Sequence, residues 1–246
     1  MGRHKTGTVL VTGGSRRIGA AIARAFASWG WRIAIHYRHS REDADRLAAE
    51  LRALDAEVAL LSADLASMDD VSQLVDRCAD ALGPPTCLVN NASEFQQDDL
   101  HALTPELWAT HMDVNLRAPV FLARAMASRL PADQTGNVIN IIDQRAWRPT
   151  PEFFSYTLSK SALWSATQML AQALAPRIRV NAIAPGPVLP STYQKPADFE
   201  AEWRNTLLHR PASPEEIAAG VRFILDAPAL TGQMIALDSG QHLVWR

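Results

Sequence analysis

The sequence predicts an α/β protein: a doubly wound, seven-stranded parallel sheet with helices on both faces. Three observations carry the prediction. Short apolar, β-branched runs alternate with Ala- and Leu-rich helical stretches along all 246 residues. A glycine-rich turn, Thr12-Gly13-Gly14-Ser15-Arg16-Arg17-Ile18-Gly19, joins the first such run to the first helical stretch. Polar residues then stand at the ends of later runs, as Asp64, Asn90-Asn91 and Asp143 do; ligands of such sheets bind at the carboxyl ends of the strands.

Composition narrows the class. The chain is 48% hydrophobic with a formal net charge of −2, enough apolar material for one domain over residues 1–246. The balanced charge argues against a nucleic-acid or membrane-surface partner, and no apolar run approaches the ~20 residues that span a bilayer. Cys78 and Cys87 have no metal-ligand spacing around them, so no metal is expected and a reduced, cytoplasmic protein is. Met1 to Thr6 fits the short N-myristoylation pattern, but a strand begins directly after it.

Taken in order, Thr8–Val11 is the first strand, and Ala20 to Ala27 continues the helix that leaves the glycine turn. Glycines there let the backbone approach a pyrophosphate, and the helix N-terminus offers N–H groups and a positive dipole end. Arg32–His36 is the second strand and runs into Tyr37-Arg38-His39-Ser40. A carboxylate here would hold the ribose 2′-hydroxyl of NAD. Instead Arg16, Arg38, His39 and Ser40 form a basic, hydroxyl-bearing cluster that suits a 2′-phosphate, so NADPH is expected over NADH.

Arg41 to Leu54 is an amphipathic helix and Glu57–Leu61 the third strand. Asp64-Leu65 follows it; Asp64 either holds the adenine amino group or caps the helix from Met68 to Leu82. Pro85–Val89 is the fourth strand, and Asn90-Asn91-Ala92-Ser93-Glu94-Phe95 leaves it with two asparagines able to bond backbone and a ribose. Pro105 to Asp113 is short and helical, and Val114-Asn115-Leu116 opens the next helix. Asparagine is unfavourable inside a helix, so Asn115 either serves a site or is a locally bonded core residue.

Gly136–Ile142 is the fifth strand and ends at Asp143, thirteen residues before Tyr156. Tyr156 and Lys160, four apart, share one face of the helix that follows. A fixed ammonium favours a phenolate and would lower the tyrosine pKa, making the pair a proton-transfer unit. Lys160 is one of only three lysines in the chain, although a solvated lysine on an amphipathic helix would give the same spacing. Ile178–Ile183 is the sixth strand and turns out through Ala184-Pro185-Gly186-Pro187. Residues 188–214, Pro-rich around a helical piece from Phe199 to Leu208, form the expected substrate lid. A helix from Pro214 to Leu225 and a strand from Gln233 to Leu237 close the fold.

Together Thr12–Gly19, Asp64, Asn90-Asn91-Ala92, Asn115, Tyr156/Lys160 and Pro185-Gly186 resemble the short-chain dehydrogenase/reductase family over essentially the full chain. The resemblance implies a Rossmann-type sheet and a homotetramer. It implies that Tyr156 donates the proton, that Lys160 holds the nicotinamide ribose and lowers the tyrosine pKa, and that Asn115 anchors a water relay. It also implies a cofactor path along Gly13, Ser15, Arg16, Arg17, Ile18, His36, Tyr37, Asp64, Leu65, Asn91, Ala92, Ser93, Pro185, Gly186 and Val188.

Three departures from the common family pattern resemble the pteridine reductase branch. Arg17 replaces the middle glycine of the turn, Asp143 stands at the usual serine, and Ser93 precedes Phe95 by two residues. The resemblance then implies that Arg17, Ser93, Phe95, Asp143 and Tyr156 hold or act on a pterin, with Phe95 facing the nicotinamide across a slot. Phe95 as a loop-core residue and Asp143 as a structural hydrogen-bonder are the plainer readings. The expected activity is NADPH-dependent reduction of a pterin C=N bond, with the proton from Tyr156 or from a water ordered by Asp143. A carbonyl reductase is the alternative enzyme. A silent NADPH-binding sensor is the alternative of another class, against which the intact Asn115, Tyr156 and Lys160 argue.

Overall fold

The computed structural model describes residues 7–191 and 194–245. The N-terminal acylation-like pattern and Thr192-Tyr193 of the expected lid lie outside the described residues. Seven strands form one sheet: β1 (Thr8–Val11), β2 (Arg32–Tyr37), β3 (Val58–Ser62), β4 (Cys87–Asn90), β5 (Gly136–Ile141), β6 (Ile178–Pro185) and β7 (Met234–Leu237). They stand in the order β3-β2-β1-β4-β5-β6-β7, and every pair is parallel. The winding reverses between β1 and β4, and a crevice opens there at the strands' carboxyl ends.

Eight helices cover the sheet among the described residues: α1 (Arg17–Ser28), α2 (Arg41–Arg52), α3 (Met68–Leu82), α4 (Pro105–Met112), α5 (Ala118–Arg129), α6 (Phe154–Leu174), α7 (Pro196–Arg204) and α8 (Pro214–Asp226). Side chains alternate across a strand, so β1 sends Val9 and Val11 to one core and Leu10 to the other. The first core joins Phe26 of α1, Leu47 and Leu51 of α2 and Val221 and Ile224 of α8 to the sheet. The second joins Leu74 and Val75 of α3 to Leu122 and Met126 of α5. Both cysteines are free and buried, and burial pushes the Cys78 thiol up to about 12. Among the described residues no helix is long and apolar enough to cross a membrane, and no His/Cys/Asp/Glu group could hold a metal.

Three boundaries differ from expectation in ways that matter. α1 starts at Arg17, which takes a left-handed φ of +53° where glycine is the comfortable residue. Between α4 and α5 the chain makes a π-helical turn, Asp113–Arg117, that carries Asn115; such wide turns gather at functional sites. The lid helix lies earlier than expected, at Pro196–Arg204 rather than 199–208, because Pro196 occupies the first turn, where its missing N–H costs nothing.

Candidate active site

Two cavities meet along the crevice. The first, about 460 Å³, is lined by Gly13, Ser15, Arg16, Arg17, Ile18, His36, Tyr37, Arg38, His39, Ser40, Asp64, Leu65, Asn91, Ala92 and Ser93, among others. The second, about 400 Å³, is lined among others by Phe95, Asp143, Tyr156, Lys160, Pro185, Gly186 and Val188. They share Arg17, Ile18, Asn91, Ser93, Phe95 and Ser191, so one groove runs from the basic cluster to the tyrosine. The cofactor- and substrate-site residues expected from the sequence line this groove; Asn90 and Asn115 do not and are buried behind it.

The first cavity is built on backbone proximity. Gly13 has φ +59°, and a Cβ there would come within 3.0 Å of the Ala92 backbone. A Cβ on Gly19 would lie 2.2 Å from the Gly13 carbonyl oxygen. Thr12 Oγ1 accepts the N–H groups of Asn91 and Ala92, each at 3.0 Å, and Asn91 Nδ2 donates to the carbonyls of Thr12 and Gly13. Asn90 turns inward instead and donates to Asn140 Oδ1 at 2.8 Å. Of the asparagine pair, then, one ties the glycine turn to β4 and the other ties β4 to β5.

His36 belongs to the same scaffold. Its Nδ1 accepts the Gly13 N–H at 3.0 Å, which leaves Nε2 to donate to the Ala63 carbonyl at 3.1 Å. It is 2% exposed. Burial drives its pKa down to about 4, so it is neutral and adds no charge to the basic cluster. The cations that remain are Arg16 and Arg38. Arg16 faces solvent, 3.6 Å from Asp43. Arg38 reaches across the groove to Glu94 at 2.8 Å and passes 3.9 Å from Asp64. Asp64 does not cap α3: its Oδ1 accepts the Ala66 N–H at 2.9 Å, while Ser67 accepts the Asp70 N–H and caps the helix. No side chain caps the first turn of α1. A helix start of this kind, beside two arginines and the Ser15 and Ser40 hydroxyls, suits phosphate groups.

The second cavity is built on buried side chains. Tyr156 Oη donates to Asp143 Oδ2 at 2.9 Å, and Asp143 Oδ1 accepts the Arg145 N–H at 2.8 Å. Lys160 Nζ donates to the Ile141 carbonyl at 2.9 Å and lies 5.8 Å from the centre of the Tyr156 ring. The electrostatics correct an expectation. Lys160 does not lower the tyrosine pKa in this arrangement; burial first, and then the Asp143 carboxylate, push it well above its ordinary value. Burial also raises Asp143, against the opposing hydrogen bonds, and lowers Lys160 to about 8. The group poised here is a protonated phenol held on a carboxylate.

Asn115 does not touch Lys160. Its Oδ1 accepts the Glu94 N–H at 2.9 Å and the Ser93 hydroxyl at 3.1 Å. Its Nδ2 donates to the Glu94 carbonyl and to Ser159 Oγ, both at 3.0 Å. Asn115 is therefore a clamp on the loop that carries Ser93 and Phe95. Phe95 stacks on Phe153, ring centres 4.5 Å apart and 7° from parallel, and meets Tyr156 edge-on at 4.7 Å. Arg17 donates to the Pro190 carbonyl at 2.8 Å and the Leu189 carbonyl at 3.1 Å, fastening the glycine turn to the segment that follows β6. Burial, and then the neighbouring Arg16, hold its pKa below the ordinary guanidinium value.

Several of these partners carry no local signal in the sequence. Phe153, with a left-handed φ of +54°, is the stacking partner of Phe95; its place three residues before Tyr156 was the one available hint. A buried chain also joins the Phe95 loop to α6. His111 Nε2 accepts the Gln96 N–H at 3.2 Å, so its Nδ1 donates to Ser155 Oγ at 2.6 Å, and Ser155 in turn donates to Asp98. Asp98 also accepts the Ser155 N–H at 3.1 Å, which pins the loop one residue from Tyr156.

Residues 13–242 match the family described as "Enoyl-(Acyl carrier protein) reductase". A curated 3-oxoacyl-[acyl-carrier-protein] reductase of Synechocystis is 32% identical, with 94% of this chain and 95% of that protein covered. Pteridine reductase 1 of Leishmania tarentolae is 31% identical, with 95% and 96% covered. Among solved structures, FolM alternative dihydrofolate reductase 1 of Brucella suis, in complex with NADP, superposes with a TM-score of 0.94 at 51% identity, covering 97% of this chain and 96% of that one. The chain belongs to the short-chain dehydrogenase/reductase family.

Proposed function

We propose that this short-chain dehydrogenase/reductase uses NADPH to reduce a C=N bond of a pterin, a substrate of the dihydropterin or dihydrofolate type. The observation that carries the reading is the Asp143–Tyr156 hydrogen bond at 2.9 Å under the Phe95 ring. A carboxylate on the catalytic phenol suits a nitrogen heterocycle: ionised it accepts from ring N–H groups, and protonated it donates to a ring nitrogen. The half-identical FolM structure and pteridine reductase 1 support the same substrate class.

The cofactor fits the residues present. Arg38 and Arg16, with Ser15 and Ser40, stand where a 2′-phosphate would be gripped, and the uncapped N-terminus of α1 beside Gly13 suits a pyrophosphate. NADPH supplies the hydride when bound. Tyr156, held protonated by burial and Asp143, delivers the proton directly or through a water that Asp143 orders. Lys160 stands beneath as the buried cation for the ribose and the phenol. Phe95, stacked on Phe153 and clamped through Asn115, gives the flat wall against which a heterocycle lies. Arg17 and Ser93 border both cavities and reach the polar edges of substrate and phosphate alike. Val188, Leu189, Ser191, Phe199 and Glu202 line this end as parts of the lid.

Carbonyl reduction is the second reading, favoured by the 3-oxoacyl reductase relative at 32% identity. The test is NADPH oxidation by the purified protein across dihydropterins, dihydrofolate, quinonoid pterins, simple ketones and a 3-oxoacyl thioester. Dihydropterin turnover well above ketone turnover is expected. Ketone reduction with no pterin reduction hands the protein to the second reading.

A further inference from the structure

Two acidic side chains line the first cavity among the described residues, Asp64 and Glu94, and both stand beside Arg38. Glu94 Oε1 lies 2.8 Å from Arg38 Nη2, whereas Asp64 Oδ1 lies 3.9 Å from Nη1, too far for a hydrogen bond. Glu94 is thus the carboxylate that holds the guanidinium. Arg38 follows β2, Glu94 follows β4, and β1 lies between those strands in the sheet. The bridge therefore crosses the crevice at the carboxyl end of β1, where the glycine turn begins. Both side chains face the cavity and keep accessible surface, Glu94 at 20%.

Glu94 is fixed there by its backbone. Asn115 Oδ1 accepts its N–H at 2.9 Å, and Asn115 Nδ2 donates to its carbonyl at 3.0 Å. Asn115 is itself fully buried and tied to Ser159 of α6. Moving the loop would break both bonds, so the carboxylate leaves Arg38 only by turning its own side chain. The rest of the cluster is easier to recruit: Ser15 and Ser40 are neutral and share one hydrogen bond at 2.6 Å. A cluster that served only to grip phosphate would gain nothing from an anchored carboxylate on its best-placed arginine.

We propose that Glu94 is a specificity-setting residue that competes with the 2′-phosphate of NADPH for Arg38. The inference rests on the cofactor reading above, in which Arg38 grips that phosphate, and adds to it the protein's own anion for the same guanidinium. A phosphate that claims Arg38 has to take it from Glu94, so the competition lowers NADPH affinity and favours release of the phosphorylated cofactor after turnover. NADH carries a hydroxyl in place of the phosphate and makes no claim on Arg38, so its affinity is independent of the bridge. Glu94 thereby narrows the preference for NADPH over NADH. The pair is partly exposed, which keeps the effect moderate.

The test is a double-mutant cycle read as cofactor affinity. NADPH and NADH are titrated by fluorescence into the wild-type protein, Glu94→Gln, Arg38→Gln and the double variant. Glutamine keeps the length of the side chain and the backbone contacts to Asn115 while removing the charge. Glu94→Gln should bind NADPH about threefold to tenfold more tightly, between the worth of a partly exposed ion pair and that of one charged hydrogen bond. NADH affinity should change by less than about twofold, which also reports an intact groove. In the Arg38→Gln background the same substitution should shift NADPH by less than about twofold, because no guanidinium is left to compete for. An equal gain in both backgrounds means simple charge repulsion and overturns the competition. A Glu94→Gln protein that binds NADPH no more tightly than the wild type overturns it too, and in both cases the cofactor reading stands. If Arg38→Gln itself leaves NADPH affinity intact, the role of Arg38 in the cofactor reading falls as well.

Discussion

The two halves of the groove are built in opposite ways. In the cofactor half the charged side chains are accessible: Arg16 is 63% exposed and 3.6 Å from Asp43, and Arg38 is 38% exposed and bridges to Glu94 at 2.8 Å. In the substrate half Tyr156 and Lys160 are buried and Asp143 is half-buried, and each is held by a hydrogen bond of 2.8 to 2.9 Å. The first half can exchange protein partners for ligand phosphates, while the second is tied together by the protein's own hydrogen bonds. Tight binding of a charged cofactor tolerates the first arrangement, but proton transfer needs the second, because geometry set in advance costs no reorganisation at the moment of reaction.

The largest effect should come from the preassembled half. Tyr156→Phe removes one proton donor and little contact area, and kcat should fall by about 10²–10⁴, the usual worth of a positioned acid. NADPH affinity, measured by fluorescence titration, should change little. Activity that survives the substitution would move the proton to a water on Asp143 and blur the contrast between the halves.

In the exchangeable half, Arg38→Asp should weaken NADPH by about 10- to 100-fold, as loss of a charge-assisted bond of roughly 1.5–3 kcal/mol requires. NADH should be far less affected. Equal use of the two cofactors by the unmodified protein would remove the role given to Arg38.

His36 sharpens the comparison from beneath. Its folded pKa of about 4 lies below the ordinary 6.5, so the unfolded chain takes up the proton first. Stability is then flat above 6.5 and falls as pH drops toward 4. By about pH 5 the loss from this one group should be on the order of 2 kcal/mol. Urea unfolding at the two pH values, with His36→Gln as the reference, reads it. An equal acid loss in the variant would place the titration elsewhere.

What could be read from the sequence follows the same division. The glycine turn, the basic cluster after β2 and the Tyr156/Lys160 pair are local patterns, and the parallel, doubly wound sheet follows from alternating strands and helices. The Phe95–Phe153 stack, the Asp98–Ser155–His111 chain and the Arg38–Glu94 bridge join segments far apart in the chain, so no local spacing announces them. Asn115 shows why a motif residue can be found before its contacts are: its unusual place in a helix was visible, but its clamp on Glu94 depends on the π-helical turn. The Tyr156 pKa is a related case: burial raises it, and the spacing of Tyr156 and Lys160 says nothing about burial.

The most direct test of the substrate-half claim is Asp143→Ser, read as the ratio of kcat/KM on a dihydropterin to kcat/KM on a ketone. Serine keeps a hydrogen bond to Tyr156 but loses the acceptor for a heterocycle. The account predicts that the ratio falls by about tenfold or more, in line with loss of a charged hydrogen bond in a buried site. A ratio that stays the same or rises would contradict it, and Asp143 would then be a structural partner of Tyr156 with no part in choosing the substrate.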